Sequence, residues 1–262
     1  MSIPIKSADD IEKMRTAGRL ASAVLDYITH FAKVGATTKE LDLLCHRYMV
    51  DTQKTIPAPL HYTVGNCPPF PNATCMSPNN VICHGIPNDT PLKSGDILNI
   101  DITVIKDGFH GDTSRMFLIG NVSENAKRLC QTAYECMWAG IYEVVPNATL
   151  GDIGHAIQTL AEKNGYSVVR EFCGHGIGRQ FHEPPQILHY GYPHMGMKLI
   201  PGMIFTIEPM INQGKRHVSL SEDGWTIVTK DRSLSAQWEH TILVTESGYE
   251  VLTLSDEPKN IA

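Results

Sequence analysis

One stretch of the sequence decides the fold: residues 97–114 read ILNIDITVIKDGFHGDTS. Apolar and polar side chains alternate from Ile97 to Ile105, which is the period of a β-strand with one buried face. The Asp107-Gly108 pair that follows is typical of a tight two-residue hairpin turn. The stretch therefore predicts an antiparallel hairpin with strands at about 96–106 and 109–119.

The register of this hairpin puts two carboxylates on one face. A two-residue turn pairs Thr103 with Asp112 and leaves Asp101 on the same face, as a diagonal neighbour about 7–8 Å away at Cα. It also places Ser114 opposite Asp101. One interpretation is a solvated polar face, which is common in antiparallel sheets. The other is a cation site, because two carboxylates on one face repel each other unless a cation lies between them.

The chain before the hairpin predicts two helices and a loop. Apolar side chains recur at helical spacing over residues 7–31, where Ser7 begins a capping-box motif. A second helix follows, capped by Thr37 or Thr38. Residues 56–80 contain six prolines, so we expect a loop there instead of a helix or a central strand.

The order of elements repeats after the hairpin. Helices are predicted at about 123–144 and 150–163, and a strand-rich region follows them. The order helix, helix, strands therefore occurs twice, which predicts an α+β fold with two similar halves at roughly 1–120 and 121–262. No stretch of linker composition separates the halves, so we predict a single domain over 1–262 with an internal pseudo-repeat.

Composition excludes several classes of protein. The 262 residues include 22 Lys+Arg, 28 Asp+Glu and 42% hydrophobic residues, with a net charge of −6. This chain is too apolar to be disordered and too acidic for nucleic-acid binding driven by phosphate contacts. No apolar run is long enough to span a membrane, and the N-terminus does not resemble a secretory signal. Seven scattered cysteines without a CxxC pair are typical of reduced thiols, so we expect a cytoplasmic protein.

Two histidines and two acids stand in informative contexts. His175 lies between glycines in CGHGIG (173–178), and glycines allow a backbone to approach its neighbours closely. A histidine on such a backbone can reach a metal or a substrate, and His182 follows seven residues later. Glu208 lies in an otherwise apolar strand-like stretch, and Glu239 lies in a second strand-like context. Because a buried unpaired carboxylate is costly, Glu208 should have a partner.

These residues and their surroundings resemble the methionine aminopeptidases. The resemblance extends from the helix at 11–15 to about Leu254, which is nearly the whole chain. Only 31 positions separate Glu208 from Glu239, too few for the insertion of the type II form, so the chain resembles the bacterial type I form. The resemblance implies the pita-bread (creatinase/aminopeptidase) fold, a pseudo-two-fold antiparallel sheet flanked by helices. The motifs that carry it are NID (99–101), GDTS (111–114), CGHGIG (173–178), FTIEP (205–209) and SAQWEHT (235–241).

The resemblance implies a centre of two divalent metal ions. Asp101 would chelate one ion, Asp112 and Glu239 would bridge, and His175 with Glu208 would complete the other. Four carboxylates balance the charge of two divalent cations, and an oxygen-rich set with one imidazole suits Mn, Fe or Co, with Zn as a further candidate. Members of the family also bind a monovalent cation through backbone carbonyls. The matching positions here are Asn79, Val81 and Ser235.

The resemblance also implies roles in peptide hydrolysis. Glu208 would move the proton from the attacking water, and His182 would stabilise the tetrahedral oxyanion. His84, in CHGIP (83–87), would contact the substrate near the scissile amide; the alternative for His84 is an ordinary turn residue.

A methionine pocket is implied by the same family. Aromatic and sulfur contacts suit a thioether, although an ordinary core is the commoner role for each aromatic taken singly. The segment 63–69 holds about five residues more than the commoner bacterial spacing, and we predict that it is a surface loop bordering the pocket. The pocket residues are Pro59, Tyr62, Phe70, Cys75, Phe181 and Trp225.

The function implied is removal of the initiator methionine from nascent polypeptides whose second residue is small. We expect a monomer that makes transient contact with the ribosome and binds neither membrane nor specific nucleic acid. Prolidases and aminopeptidases P share the fold and the ligand set, but they usually carry a further N-terminal domain. A non-catalytic pita-bread protein that binds partners is another alternative, although such proteins typically lose ligands, and all five are present here.

Overall fold

The computed structural model describes residues 3–255, so the first two and last seven residues of the predicted domain lie outside the described residues. The helices are α1 (Ala8–Thr29), α2 (Thr38–Arg47), α3 (Glu124–Tyr142) and α4 (Leu150–Lys163), with a π-helix at Tyr48–Gln53. The strands are β1 (Ile56–Pro57), β2 (Cys75–Pro78), β3 (Val81–Cys83), β4 (Ile97–Lys106), β5 (Phe109–Leu118), β6 (Ser167–Val168), β7 (Gly174–Gly176), β8 (Glu183–Ile187), β9 (Ile204–Ile207), β10 (Met210–Asn212), β11 (Val218–Leu220), β12 (Ile227–Thr229), β13 (Ser235–Gln237), β14 (His240–Val244) and β15 (Tyr249–Val251).

Three helices begin at capping boxes. The Ser7 hydroxyl accepts from the backbone N–H of Asp10 at 3.2 Å, and the Asp10 carboxylate accepts from the N–H of Ser7. Thr37, one of the two predicted residues, caps α2, and Thr149 caps α4 in the same way. Each box satisfies backbone donors that the first helical turn leaves free. Gly165 follows α4 with φ 80°, which confirms the predicted helix end.

The hairpin of β4 and β5 has the predicted register. Thr103 faces Asp112 and donates its hydroxyl hydrogen to Asp112 Oδ1 at 2.7 Å, which leaves Asp101 on the same face. Asp107 and Gly108 form the turn with φ values of 51° and 78°, the left-handed region that tight hairpin turns require.

Within residues 3–255, the strand pairs are all antiparallel and form four sheets. One sheet has the order β1-β4-β2, with β5 also paired to β4, and the largest has the order β15-β14-β9-β7-β8. Two three-stranded sheets have the orders β13-β10-β6 and β11-β12-β3. None of the helices within residues 3–255 combines the length and apolarity that a membrane crossing needs.

The expectation of a loop throughout 56–80 is wrong at its two ends, where β1 and β2 lie. β1 pairs with β4 through Ile56 and Pro57. β2 also pairs with β4, from Cys75 opposite Asp101 to Pro78 opposite Leu98. The prolines are concentrated before residue 72, so the stretch 72–77 is free to pair, and Pro78 stands at the end of the strand, where a missing N–H costs least.

Each helix pair covers its own core. Helices α1 and α2 pack against β2, β4 and β5, whereas α3 and α4 pack against β9, β10 and β13. Gly111 lets α1 lie against β5, because a Cβ at that position would stand 2.3 Å from the backbone of Ala17. The two packed layers agree with a pseudo-repeat, and its division at about residue 120 stays a prediction.

The hairpin is attached to the segment between β13 and β14. The Thr113 hydroxyl donates to the carbonyl of Glu239 at 2.7 Å, and the Thr241 hydroxyl donates to the carbonyl of Asp112 at 2.7 Å. These two bonds bring a distant carboxylate beside the carboxylates of the hairpin.

Candidate metal centre

Five side chains converge where the sheets meet. Asp101 and Asp112 come from the hairpin, His175 from β7, Glu208 from the end of β9, and Glu239 from between β13 and β14. The His175 Nε2 atom lies 3.6 Å from both Asp112 Oδ2 and Glu208 Oε1. Ligand atoms of Asp112, His175 and Glu239 all lie within 4.8 Å of one another. Asp101 lies on β4 two positions before Thr103, which faces Asp112, so Asp101 and Asp112 lie on the same face of the hairpin.

The glycines beside His175 bring neighbouring backbones close, as the sequence predicted. A Cβ at Gly174 would stand 2.3 Å from the carbonyl oxygen of Thr206, and a Cβ at Gly176 would stand 2.2 Å from that of Pro184. Side chains at either position would therefore push β7 away from its neighbours. β7 could then no longer hold the imidazole within the cluster.

The hydrogen bonding of His175 leaves one nitrogen available as a ligand. Its Nδ1 lies 2.9 Å from the carbonyl oxygen of Gly176, and because a carbonyl only accepts, Nδ1 carries the proton. Burial lowers the pKa of His175 to about 4, so the ring is neutral at neutral pH. Its Nε2 therefore presents a lone pair to Asp112 and Glu208, the state in which histidine binds a metal.

The four carboxylates are poorly compensated within the protein. Burial, reinforced by neighbouring negative charge, raises the pKa of Asp112 and Glu239 well above the usual range. Burial raises the pKa of Asp101 to about 7 and that of Glu208 to about 8. Among the ion pairs within residues 3–255, none joins a lysine or arginine to these four groups. Asp101 Oδ1 is buried without a hydrogen-bond partner, so this site fits divalent cations.

Glu208 has the partners that its burial requires. The Thr206 hydroxyl donates to Oε1 at 2.7 Å, and the Gln237 amide donates to Oε2 at 3.1 Å. Neither residue was predicted as part of the site, although each precedes a proposed ligand by two positions. His189 Nε2 accepts from the backbone N–H of Glu208 at 3.2 Å, and no feature of the sequence pointed to this contact.

The two histidines assigned to catalysis border the cluster. The ring centroid of His182 lies 4.2 Å from that of His175, and His182 Nδ1 lies 2.7 Å from the Tyr62 hydroxyl. His84 adopts a left-handed backbone conformation with φ 53°, and its ring meets Trp225 edge to face at 6.2 Å. Burial lowers the pKa of His182 to about 3 and that of His84 to about 4, so both rings are neutral at neutral pH.

The residues assigned to the methionine pocket lie together. Tyr62 connects the group to Phe181, with ring centroids 5.0 Å apart, and its N–H donates to the carbonyl of Pro59 at 2.9 Å. Cys67, which was not among the predicted pocket residues, is half-buried against this cluster. The buried members of the cluster are Phe70, Cys75 and Trp225, and Tyr62, Cys67 and Ile86 pack against them.

Two of the three positions assigned to a monovalent cation are in contact. The backbone N–H of Ser235 donates to the carbonyl of Asn79 at 2.9 Å, and Val81 follows two residues later. The Ser235 hydroxyl oxygen is buried without a hydrogen-bond partner.

Comparison with known proteins identifies the family. The pattern of metallopeptidase family M24 matches residues 12–246. The chain belongs to this family. Within it, the chain is 55% identical over 255 residues to the methionine aminopeptidase of Salmonella typhimurium, covering 97% of this chain and 95% of the relative. The crystal structure of methionine aminopeptidase from Rickettsia prowazekii matches with a TM-score of 0.93 and 54% identity, over 97% of this chain and 100% of that chain.

These similarities make the protein one of the methionine aminopeptidases and confirm the predicted pita-bread fold. Prolidase from Pyrococcus furiosus matches with a TM-score of 0.77 at 19% identity, over 97% of this chain and 66% of that chain, and so shares the fold alone. The chain is a metal-dependent aminopeptidase of family M24 that acts on peptides. The interpretation as an enzyme is confirmed.

Proposed function

We propose that the protein removes the N-terminal methionine from polypeptides with a small second residue, using two divalent metal ions. The observation that carries this proposal is the convergence of Asp101, Asp112, His175, Glu208 and Glu239, with one buried Asp101 oxygen that has no partner. The identity of the relatives supports the choice of methionine.

The donor set suggests how the ions would be shared. Asp101 would bind one ion, and His175 and Glu208 would bind the other. Asp112 and Glu239 would each bind both ions. Co, Mn, Fe and Zn all suit four carboxylates and one imidazole. When bound, such ions polarise the scissile carbonyl and lower the pKa of water.

Three side chains would carry out the proton transfers and the binding of developing charge. Glu208, oriented by Thr206 and Gln237, would take a proton from the attacking water and pass it to the leaving amine. His182 would donate a hydrogen bond to the oxyanion. His84, whose ring packs against Trp225 of the pocket, would contact the substrate near the scissile amide.

The aromatic cluster would receive the methionine side chain. Phe70 and Trp225 meet edge to face with ring centroids 5.3 Å apart, and Cys75 is buried beside them. A flexible thioether gains favourable contacts with such rings. The same family resemblance supports a small residue after the methionine.

The natural setting is also part of the proposal. We infer that the protein acts as a monomer in the cytoplasm on nascent polypeptides, with transient contact with the ribosome. All seven cysteines are unpaired, which is typical of a reducing compartment. A net charge of −6 disfavours direct binding of nucleic acid. A monovalent cation would bind near Asn79, Val81 and Ser235.

Chelation and substitution of a bridging ligand test the function together. A chelator should abolish release of methionine from a Met-Ala peptide, and Mn²⁺ or Co²⁺ should restore it. Asp112→Ala should lose at least one ion in elemental analysis, because Asp112 would serve both. The control is Asp89→Ala, which removes an exposed carboxylate that pairs with Lys39. Full activity of the metal-free protein, or efficient release of Leu or Lys with Met rejected, would contradict the proposal.

A further inference from the structure

Tyr62 makes a contact that its assignment to the pocket does not explain. Its hydroxyl oxygen lies 2.7 Å from Nδ1 of His182, a normal length for a hydrogen bond. The other ring nitrogen of His182, Nε2, has no hydrogen-bond partner among the residues that the structure describes. The hydroxyl therefore engages Nδ1 of His182 and leaves Nε2 available for another partner.

The position of this hydroxyl is set by the backbone and by packing. The N–H of Tyr62 donates to the carbonyl of Pro59 at 2.9 Å, and its carbonyl accepts from the N–H of Phe70 at 2.9 Å. The second bond joins the two residues that flank the loop at 63–69, Tyr62 and Phe70. The Tyr62 ring packs against Phe181, with centroids 5.0 Å apart. The hydroxyl consequently has little freedom to leave Nδ1.

The direction of the hydrogen bond decides which nitrogen of His182 carries the proton. A neutral imidazole has one N–H and one lone pair. If Nδ1 carried the proton and donated to Tyr62, Nε2 would be an acceptor and would repel an oxyanion. If Tyr62 donates to Nδ1, the proton is held on Nε2. Burial raises the pKa of the Tyr62 phenol, so the hydroxyl keeps its proton at neutral pH and can donate.

We propose that Tyr62 is a positioning residue that holds His182 in the tautomer with the proton on Nε2, ready to donate to the oxyanion formed during peptide hydrolysis. This inference rests on the role proposed for His182 in methionine removal. It gives the Tyr62 side chain two functions, since its ring lines the pocket and its hydroxyl sets the proton of the catalytic histidine.

The substitution Tyr62→Phe separates these functions, because it keeps the ring and removes only the hydroxyl. We expect kcat for a Met-Ala peptide to fall by about 10- to 100-fold, the same range as for loss of a partner that orients a metal-binding histidine. KM should stay unchanged, because the ring still lines the pocket. The control is Tyr48→Phe. The ring of Tyr48 stacks on that of Tyr27 in α1. The kcat and KM of this variant should both match those of the wild type.

Two further measurements identify the mechanism. The double variant Tyr62→Phe/His182→Ala should have the kcat of His182→Ala alone, because Tyr62 acts only through that ring. In the zinc-loaded enzyme, the ¹⁵N chemical shifts of His182 should show a protonated Nε2 in the wild type and a mixture of tautomers in Tyr62→Phe. A rise in KM with unchanged kcat, or the same tautomer in both proteins, would overturn the inference. An unchanged kcat in His182→Ala would instead contradict the proposed role of His182.

Discussion

Lys6 and Glu183 form an ion pair in the interior of the protein, where their side chains are 7% and 8% exposed. Glu183 directly follows His182, and its second carboxylate oxygen accepts from the backbone N–H of Gln180 at 3.1 Å. The N–H of Lys6 donates to the carbonyl of Gly202 at 2.9 Å. The segment before α1 therefore holds in place the loop between β7 and β8, which carries His182.

Removal of the Lys6 charge should destabilise the protein. In Lys6→Met the carboxylate of Glu183 stays buried without its cation, which typically costs about 3–5 kcal/mol of unfolding free energy. Urea denaturation of the metal-loaded protein measures this loss. The control is Lys13→Met, which breaks the ion pair between Lys13 and Asp9, whose two side chains are 36% and 75% exposed, respectively. This variant should lose at most about 1 kcal/mol of unfolding free energy. Equal losses of unfolding free energy in the two variants would show that the buried pair of Lys6 and Glu183 stabilises the protein no more than an exposed pair does.

Substitution of His182 should affect the chemical step more than binding. We expect His182→Ala to lower kcat by about 10²–10³, because a donor to the oxyanion acts only in the transition state. KM should change little, and elemental analysis should still find the full metal content. The exposed His30, which follows α1, provides the control variant His30→Ala with unchanged kinetics. Loss of metal in His182→Ala would mean that this residue is a ligand.

Shortening of the loop at 63–69 should alter substrate recognition and leave the metal centre intact. Most residues of this loop are exposed, but the indole N–H of Trp225 donates to the carbonyl of Pro68 at 2.7 Å. The loop therefore adjoins the pocket, and Cys67 is half-buried against it. We expect a changed KM for Met-peptides or a changed inhibitor affinity, measured beside an unchanged metal content. Wild-type KM values across peptides and inhibitors would place the loop outside substrate recognition.

The stability contributed by His84 should depend on pH in a defined direction. Because burial lowers its pKa from 6.5 to about 4, the folded state resists protonation of the ring. The contribution is complete above about pH 6.5 and is lost as the pH falls through about 4, with a maximum of about 3 kcal/mol. As the pH falls from about 6.5 to about 4, the wild type should therefore lose unfolding free energy relative to His84→Asn. His30→Asn should show no such shift, and a pH-independent difference for His84→Asn would contradict the prediction.

Local features of this protein could be predicted because their partners are close in the sequence. The turn at Asp107-Gly108 determines which residues of β4 and β5 face each other, so the alignment of Asp101 and Asp112 on one face followed from it. The start of α1 was predictable because Ser7 and Asp10 are three residues apart. The five ligands were proposed from motifs, each a short continuous stretch of sequence.

Long-range pairings were decided only by the tertiary structure. Tyr62 and His182 are 120 residues apart, and Lys6 and Glu183 are 177 residues apart. Nothing in either segment of such a pair specifies the other, because the contact depends on how whole sheets and loops pack. The sequence by itself therefore determined the fold class and the chemistry of the ligands. Packing between distant elements decided the contact that orients His182 and the ion pair that holds its loop in place.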